Sequence, residues 1–173
     1  MAVQATHVTG TWWRHTPAGA DVLRQSAEPP DMRWQHGETV EGLYLADSPE
    51  TVWAEWYRWL AEAGLPPMHA LPRDLWHWEV SLPRVADLST AERLGELGLG
   101  LPQPGRRDWP EFQRVGDSLY EDGWPALIAP SAALPGTRVL CVFRDMREPP
   151  GVRPVPPPKR FDEPPHPPTG MRT

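Results

Sequence analysis

A chain of 173 residues fits one domain and can bury a core without staples. Its formal net charge of −6 excludes a general nucleic-acid or anionic-membrane surface, while leaving room for a local basic pocket. The single cysteine, Cys141, excludes an internal disulfide, and the six histidines show no metal-ligand spacing, so thiol and zinc chemistry are not expected. No apolar run reaches the roughly 18 residues of a membrane span. The start, "MAVQATHVTG", lacks the basic and apolar regions of a secretory signal, so a cytoplasmic location is expected.

In chain order, "GTWWRHTP" (10–17) predicts a strand closed by Pro17, and 18–31 a short helix or loop ending at Pro29-Pro30. "GLYLAD" (42–47) predicts a strand. "SPETVWAEWYRWLAEAG" (48–64) is the clearest helix, with Ser48 as N-cap, Pro49 at the first helical position and Gly64 as its end. Its apolar stripe is read as Val52, Trp56, Trp59, Leu60 and Ala63. A strand is expected over 75–83, a short helix over 89–99 and a longer helix over 109–123. Closing strands are expected over 126–134 and 137–145, with Cys141 packed in the core. The mixture lacks regular βαβ alternation, which predicts an α+β fold. From residue 148 onward ten of the 24 prolines crowd into 26 residues. That composition predicts an extended, polyproline-like or disordered tail over 148–173, outside a domain spanning 1–147.

The chain has ten tryptophans, enough to serve both as core bulk and as stacking surfaces for a planar ligand. Glu55 falls about 100° from the centre of the helix stripe, at the edge of the buried face. There it either projects into a cleft or pairs at the surface with Arg58. Arg33, beside Trp34, suits a bidentate grip on phosphate or carboxylate, or a surface pair with Asp31 or Glu38. Tyr44 is either a half-buried strand tyrosine or a ligand contact. Ser131, in an apolar run, needs a partner, either nearby backbone or a ligand. No GxSxG elbow surrounds it, and no glycine-rich nucleotide loop occurs in the chain.

Taken in order, these pieces resemble the RES domain family, named for an arginine, a glutamate and a serine. "WWRHTP", with Arg14, is similar to the family's opening strand. "RWQHGETVEGLYLADSPETVWAE" resembles its central block and carries Arg33, Trp34, Gly37, Tyr44, Ser48 and Glu55. "GDSLYEDGWPALIAPSAALPG" resembles the block holding the serine, here Ser131. Met32 and Gln35 stand where the family usually has a small residue and an asparagine. The asparagine-proline-histidine stretch usual after the serine block is replaced by "TRVLCVF", and the proline-rich tail is not a usual family feature.

Family members are toxins of bacterial toxin–antitoxin pairs with an ADP-ribosyltransferase-like fold. They break the nicotinamide–ribose bond of NAD by phosphorolysis or hydrolysis. The resemblance therefore implies Glu55 and Arg33 as catalytic residues, and Arg33, Tyr44, Ser131, Arg14 and Trp34 as the NAD-binding set. It implies NAD as substrate, inorganic phosphate as a candidate co-substrate, no further cofactor and no metal. The partners it brings into view are a cognate antitoxin protein and a homo-oligomer, with no membrane and no direct nucleic-acid contact. Two other readings stand beside it: ADP-ribosyl transfer to a macromolecule, and a non-catalytic module that binds protein through its aromatics and proline-rich tail.

Overall fold

The computed structural model describes residues 3–173. Strand β1 (Ala5–Pro17) and strand β2 (Glu41–Ala46) precede helix α1 (Pro49–Ala63). Strand β3 (Arg73–Asp87), the short helix α2 (Ala91–Gly95) and helix α3 (Trp109–Glu121) follow. Strands β4 (Ala126–Pro130), β5 (Arg138–Arg144) and β6 (Val152–Phe161) complete the chain. This is an α+β fold, as the irregular alternation predicts. Residues 18–31 form turns rather than a helix, and Ser131 stands just past the end of its strand. Among the described residues, no helix is long and apolar enough to cross a membrane.

The sheet runs in the order β1-β2-β5-β4-β3-β6, and β3 also pairs with β1, so the sheet curls back on itself. Among the described residues, only β3 and β4 pair in parallel. The β1–β3 ladder is long, from Ala5 opposite Ala86 to Pro17 opposite Arg73. By contrast, β1 meets β2 at one pair, Trp13 opposite Ala46. Side chains alternate across a strand, and one row from each strand fills the interior of the curl. Trp12, Leu43, Trp78, Ile128 and Leu140 belong to that interior cluster. Leu43 and Leu45 thus point inward, and Tyr44 takes the opposite face of β2.

Helix α1 packs across β1 and β2. Ser48 caps it by accepting the Thr51 N–H at 3.1 Å, and Gly64 closes it in the left-handed conformation at φ 64°. The buried stripe differs from the expected one. It runs through Val52, Trp53, Trp56 and Leu60, while Trp59 is 42% exposed. The helix is therefore rotated so that Trp53 meets Phe161 and Trp59 stands at a cleft rim.

Helix α3 covers the outer face of the sheet through Phe112, Val115 and Leu119, which pack with Trp34 and Phe143. Gly116 permits this close seating. A Cβ at that position would lie 1.7 Å from the Trp34 carbonyl oxygen, so only glycine lets the 32–35 loop rest on the helix.

The proline-rich segment corrects the expected boundary at residue 147. It is extended, but residues Val152–Phe161 form β6, paired antiparallel with β3 from Val80–Val152 to Arg73–Phe161. A register shift between Leu75 and His77 takes up the extra residues. Proline cannot donate to a ladder, but an edge strand has one row of N–H groups with no partner strand. Pro156, Pro157 and Pro158 fall within the register shift, where β6 has no partner on β3, so of the β6 prolines only Pro154, opposite Trp78, sits in the ladder itself. Val152 is buried in the interior cluster, so the segment contributes to the core.

Candidate active site

A cleft of about 410 Å³ opens beside the single β1–β2 contact. Trp13, Arg14 and His15 of β1 form one wall, and Gly42, Tyr44 and Ala46 of β2 another. Glu55, Trp56, Arg58 and Trp59 of α1 line it, together with the 32–35 loop, Arg73, Trp109 and Pro130.

Glu55 and Ser131 meet, although 76 residues separate them in sequence. The Ser131 hydroxyl donates to Glu55 Oε1 at 2.6 Å, and the Ala133 N–H donates to the same oxygen at 3.3 Å. Arg58 Nε donates to Oε2 at 2.9 Å. Both expected alternatives for Glu55 therefore hold together: it pairs with Arg58, and it lines a cleft. Ser131 Oγ also accepts the N–H groups of Ala133 at 3.1 Å and Leu134 at 3.0 Å. The backbone thus orients the hydroxyl, whose proton points at the carboxylate.

Arg33 lines the same cleft, but its donors are largely committed. Nη1 donates to Asp108 at 2.6 Å, and Nη2 donates to the carbonyls of Gln103 at 2.5 Å and Gly105 at 3.3 Å. The partner is Asp108, and neither Asp31 nor Glu38. Burial lowers the Arg33 pKa, and Asp108 opposes the shift. These bonds fasten the 103–108 loop to the cleft wall, so the expected free fork on a phosphate is not what Arg33 presents.

Arg14 offers what Arg33 does not. Among the described residues it has no hydrogen-bond or ion-pair partner, and it lies half-buried on the cleft wall. Burial lowers its pKa to about 10, with Arg144 adding to the fall, Glu41 opposing it, and Arg73 adding again. It stays cationic at neutral pH, in surroundings that an incoming anion would relieve. Next to it, burial pushes the His15 imidazole well below its ordinary range, with Arg73 and Arg14 adding to the effect. Arg73 Nη2 lies 2.7 Å from His15 Nδ1, and its Nε lies 3.2 Å away, so Nδ1 accepts and the proton sits on Nε2. Sequence reasoning did not single out His15 or Arg73. The signal available was their alignment across one ladder, His15 opposite Leu75 and Pro17 opposite Arg73, which needs the register.

Tyr44 lines the cleft with its ring, and its hydroxyl is held on both sides. It accepts the Trp34 N–H at 3.0 Å and donates to Gln35 at 2.7 Å. Burial raises its pKa well above the ordinary phenol value. Trp34 itself is 1% exposed and packs edge-on to Phe112 at 4.8 Å. Its indole packs in the core, and the residue also borders the cleft. Trp56 and Trp109 also line the cleft and carry buried indole N–H groups without an acceptor among the described residues. Cys141 is fully buried, and burial pushes its thiol up to about 12, as an inert core cysteine requires.

The 32–37 loop is latched to α3 by His36. Its Nδ1 lies 2.5 Å from Asp117, whose other oxygen accepts the His36 N–H at 3.0 Å. The hydrogen bond to Asp117 raises the imidazole pKa above 6.5, against a smaller desolvation effect. A raised folded-state pKa gives stability that is full below 6.5 and lost as pH rises through the raised value. The difference in urea midpoint between parent and His36→Asn should be largest at acid pH and shrink above neutrality. A pH-independent difference would place the contribution in packing alone. The effect should be small, because the ring is 39% exposed and screened.

Comparison with known proteins bears on the family and the fold. A "Probable NAD(+) phosphorylase Rv3189" of Mycobacterium tuberculosis is 29% identical over 136 residues, covering 78% of this chain. The chain spans 64% of that relative's length. A chain of the crystallised M. tuberculosis MbcT-MbcA toxin-antitoxin complex superposes with a TM-score of 0.74 at 24% identity. That match covers 92% of this chain and 86% of the other, and it establishes the likeness of fold. The family model for the RES domain matches residues 6–164, from the start of the curled sheet past the end of β6. A match of that extent, over a fold that brings its arginines and glutamate to one cleft and bonds the serine to that glutamate, makes this chain a member of the RES domain family.

Proposed function

We propose that the cleft binds NAD and breaks its nicotinamide–ribose bond, with phosphate or water as the acceptor. The observation that carries this reading is the carboxylate of Glu55, fixed by Ser131 and Arg58, in the same cleft as Arg14, which has no partner among the described residues. Cleavage of an N-glycosidic bond to a cationic leaving group builds positive charge on the ribose. A carboxylate already oriented by hydrogen bonds can stabilise that charge without reorganising. Arg14, with Arg73 behind it, would hold the dinucleotide's diphosphate or the attacking phosphate. The indole N–H groups of Trp56 and Trp109 would find acceptors on the ligand, and the Tyr44 ring would pack against nicotinamide or its ribose. The size of the cleft lies in the range of about 300–1,000 Å³ typical of small-molecule sites. The related phosphorylase supports the substrate, and the crystallised toxin–antitoxin neighbour supports a toxin held by a cognate antitoxin.

Purified protein incubated with NAD should release nicotinamide. Strict dependence on phosphate identifies phosphorolysis, and release without it identifies hydrolysis. Label appearing on a macromolecule would replace this reading with ADP-ribosyl transfer, and absence of all three would overturn an enzymatic role. In the same assay Arg14→Ala should raise KM by about 10–100-fold, the value of one or two charge-assisted hydrogen bonds. Arg33→Ala should act mainly on stability, by about 3–5 kcal/mol, because it leaves Asp108 without its partner. The reverse pattern, with Arg33 governing KM and Arg14 governing melting, would return the anion grip to Arg33.

A further inference from the structure

The stretch after β6 includes residues 165–173, which fall outside the part matched by the family model. It is nonetheless fastened at successive points. Phe161 packs edge-on against Trp53 of α1 at 4.8 Å. The Tyr57 hydroxyl, farther along the same helix, donates to the Pro165 carbonyl at 2.5 Å. The Arg172 N–H then donates to the Ala133 carbonyl at 2.6 Å, and its Nη1 donates to Gln103 Oε1 at 3.2 Å. Pro164, Pro165, Pro167 and Pro168 stiffen the span, so little chain freedom is lost in placing Arg172.

The Ala133 carbonyl belongs to the peptide unit whose N–H is that of Leu134. That N–H donates to Ser131 Oγ, and Ser131 donates to Glu55. One continuous chain of donors therefore runs from the Arg172 backbone through a single peptide and a hydroxyl to the Glu55 carboxylate. Bonds in such a series polarise one another and lock one another's direction. We propose that Arg172 is a positioning residue for the Glu55–Ser131 pair, acting through its backbone N–H on the 133–134 peptide. Its bearing on catalysis rests on the NAD-cleaving reading above; its bearing on the geometry of the Ser131 turn does not.

Two substitutions at one position separate the contributions. Arg172→Ala removes the guanidinium and keeps the N–H, whereas Arg172→Pro removes both. Nicotinamide-release kcat should fall about tenfold in Arg172→Pro with KM changed less than about twofold, and fall less than about threefold in Arg172→Ala. Hydrogen exchange at the Ala133 and Leu134 amides should speed up in the proline variant and stay near parental in the alanine variant. Removal of residues 166–173 should reproduce the proline result, and it serves in its place if that variant does not fold. Equal losses in the alanine and proline variants would overturn the proposal. So would parental exchange at both amides in the proline variant, whatever its kcat. If the parent protein releases no nicotinamide, the NAD reading fails, and the exchange comparison alone decides whether Arg172 positions the turn.

Discussion

Glu55→Gln should lower NAD turnover by about 10²–10³-fold, the cost of losing one electrostatic contact to a charge-developing transition state. The amide keeps the size of the side chain and can still accept the Ser131 proton through its oxygen. Its NH2, however, would face Arg58 Nε, two donors meeting where a donor and an acceptor met before. Stability should therefore fall by about 1–3 kcal/mol, the range for a lost hydrogen bond to a charged group. NAD affinity should change far less than kcat, since the ribosyl charge exists only near the transition state. Single-turnover kinetics, NAD titration and thermal melting on both proteins provide the check. A folded Glu55→Gln protein with parental turnover would remove the carboxylate from the chemistry.

Deleting residues 150–173 should lower the melting temperature by about 10 °C or more, or prevent folding altogether. A dispensable tail would leave melting unchanged. Strand β6 instead contributes Val152 to the interior cluster and sets Phe161 against Trp53, with Arg160 paired to Asp74 at 2.7 Å. Burying two such apolar side chains is worth about 3–5 kcal/mol, a large share of the roughly 5–15 kcal/mol of a typical domain. The deletion would also bare the β3 edge from Arg73 to Val80, so concentration-dependent association should accompany the loss. Thermal melts at two protein concentrations test both effects.

What could be read from the residues divides by distance along the chain. Helix α1 was legible end to end because Ser48, Pro49 and Gly64 are local signals with local physical causes. Its buried face was legible only in part: Trp53 faces inward because Phe161, more than a hundred residues away, is there to receive it. Ser131 and Glu55 were identified separately, each with competing readings, and only the fold shows them bonded to each other. The loop arginine looked like the anion grip because it stands beside an aromatic in a polar stretch. The acid that occupies it, Asp108, lies 75 residues on and carries no signal in sequence. Strand β6 was hidden by composition. Proline content argues against a ladder until the register is known: three of the four β6 prolines fall in the shift opposite Leu75–His77, where the strand makes no pairing.

The curled sheet is a cylinder with an incomplete seam, joined at Trp13 and Ala46 and open beside them where the cleft lies. Residues from both lips of the seam, Arg14 and His15 on one strand and Gly42 and Tyr44 on the other, line that opening. A molecule seated there would span two strands that the backbone leaves largely unbonded. It would act as a clasp on the barrel as well as a substrate. Occupancy of the cleft and closure of the barrel would then be one mechanical event, and the empty protein would be the looser of the two.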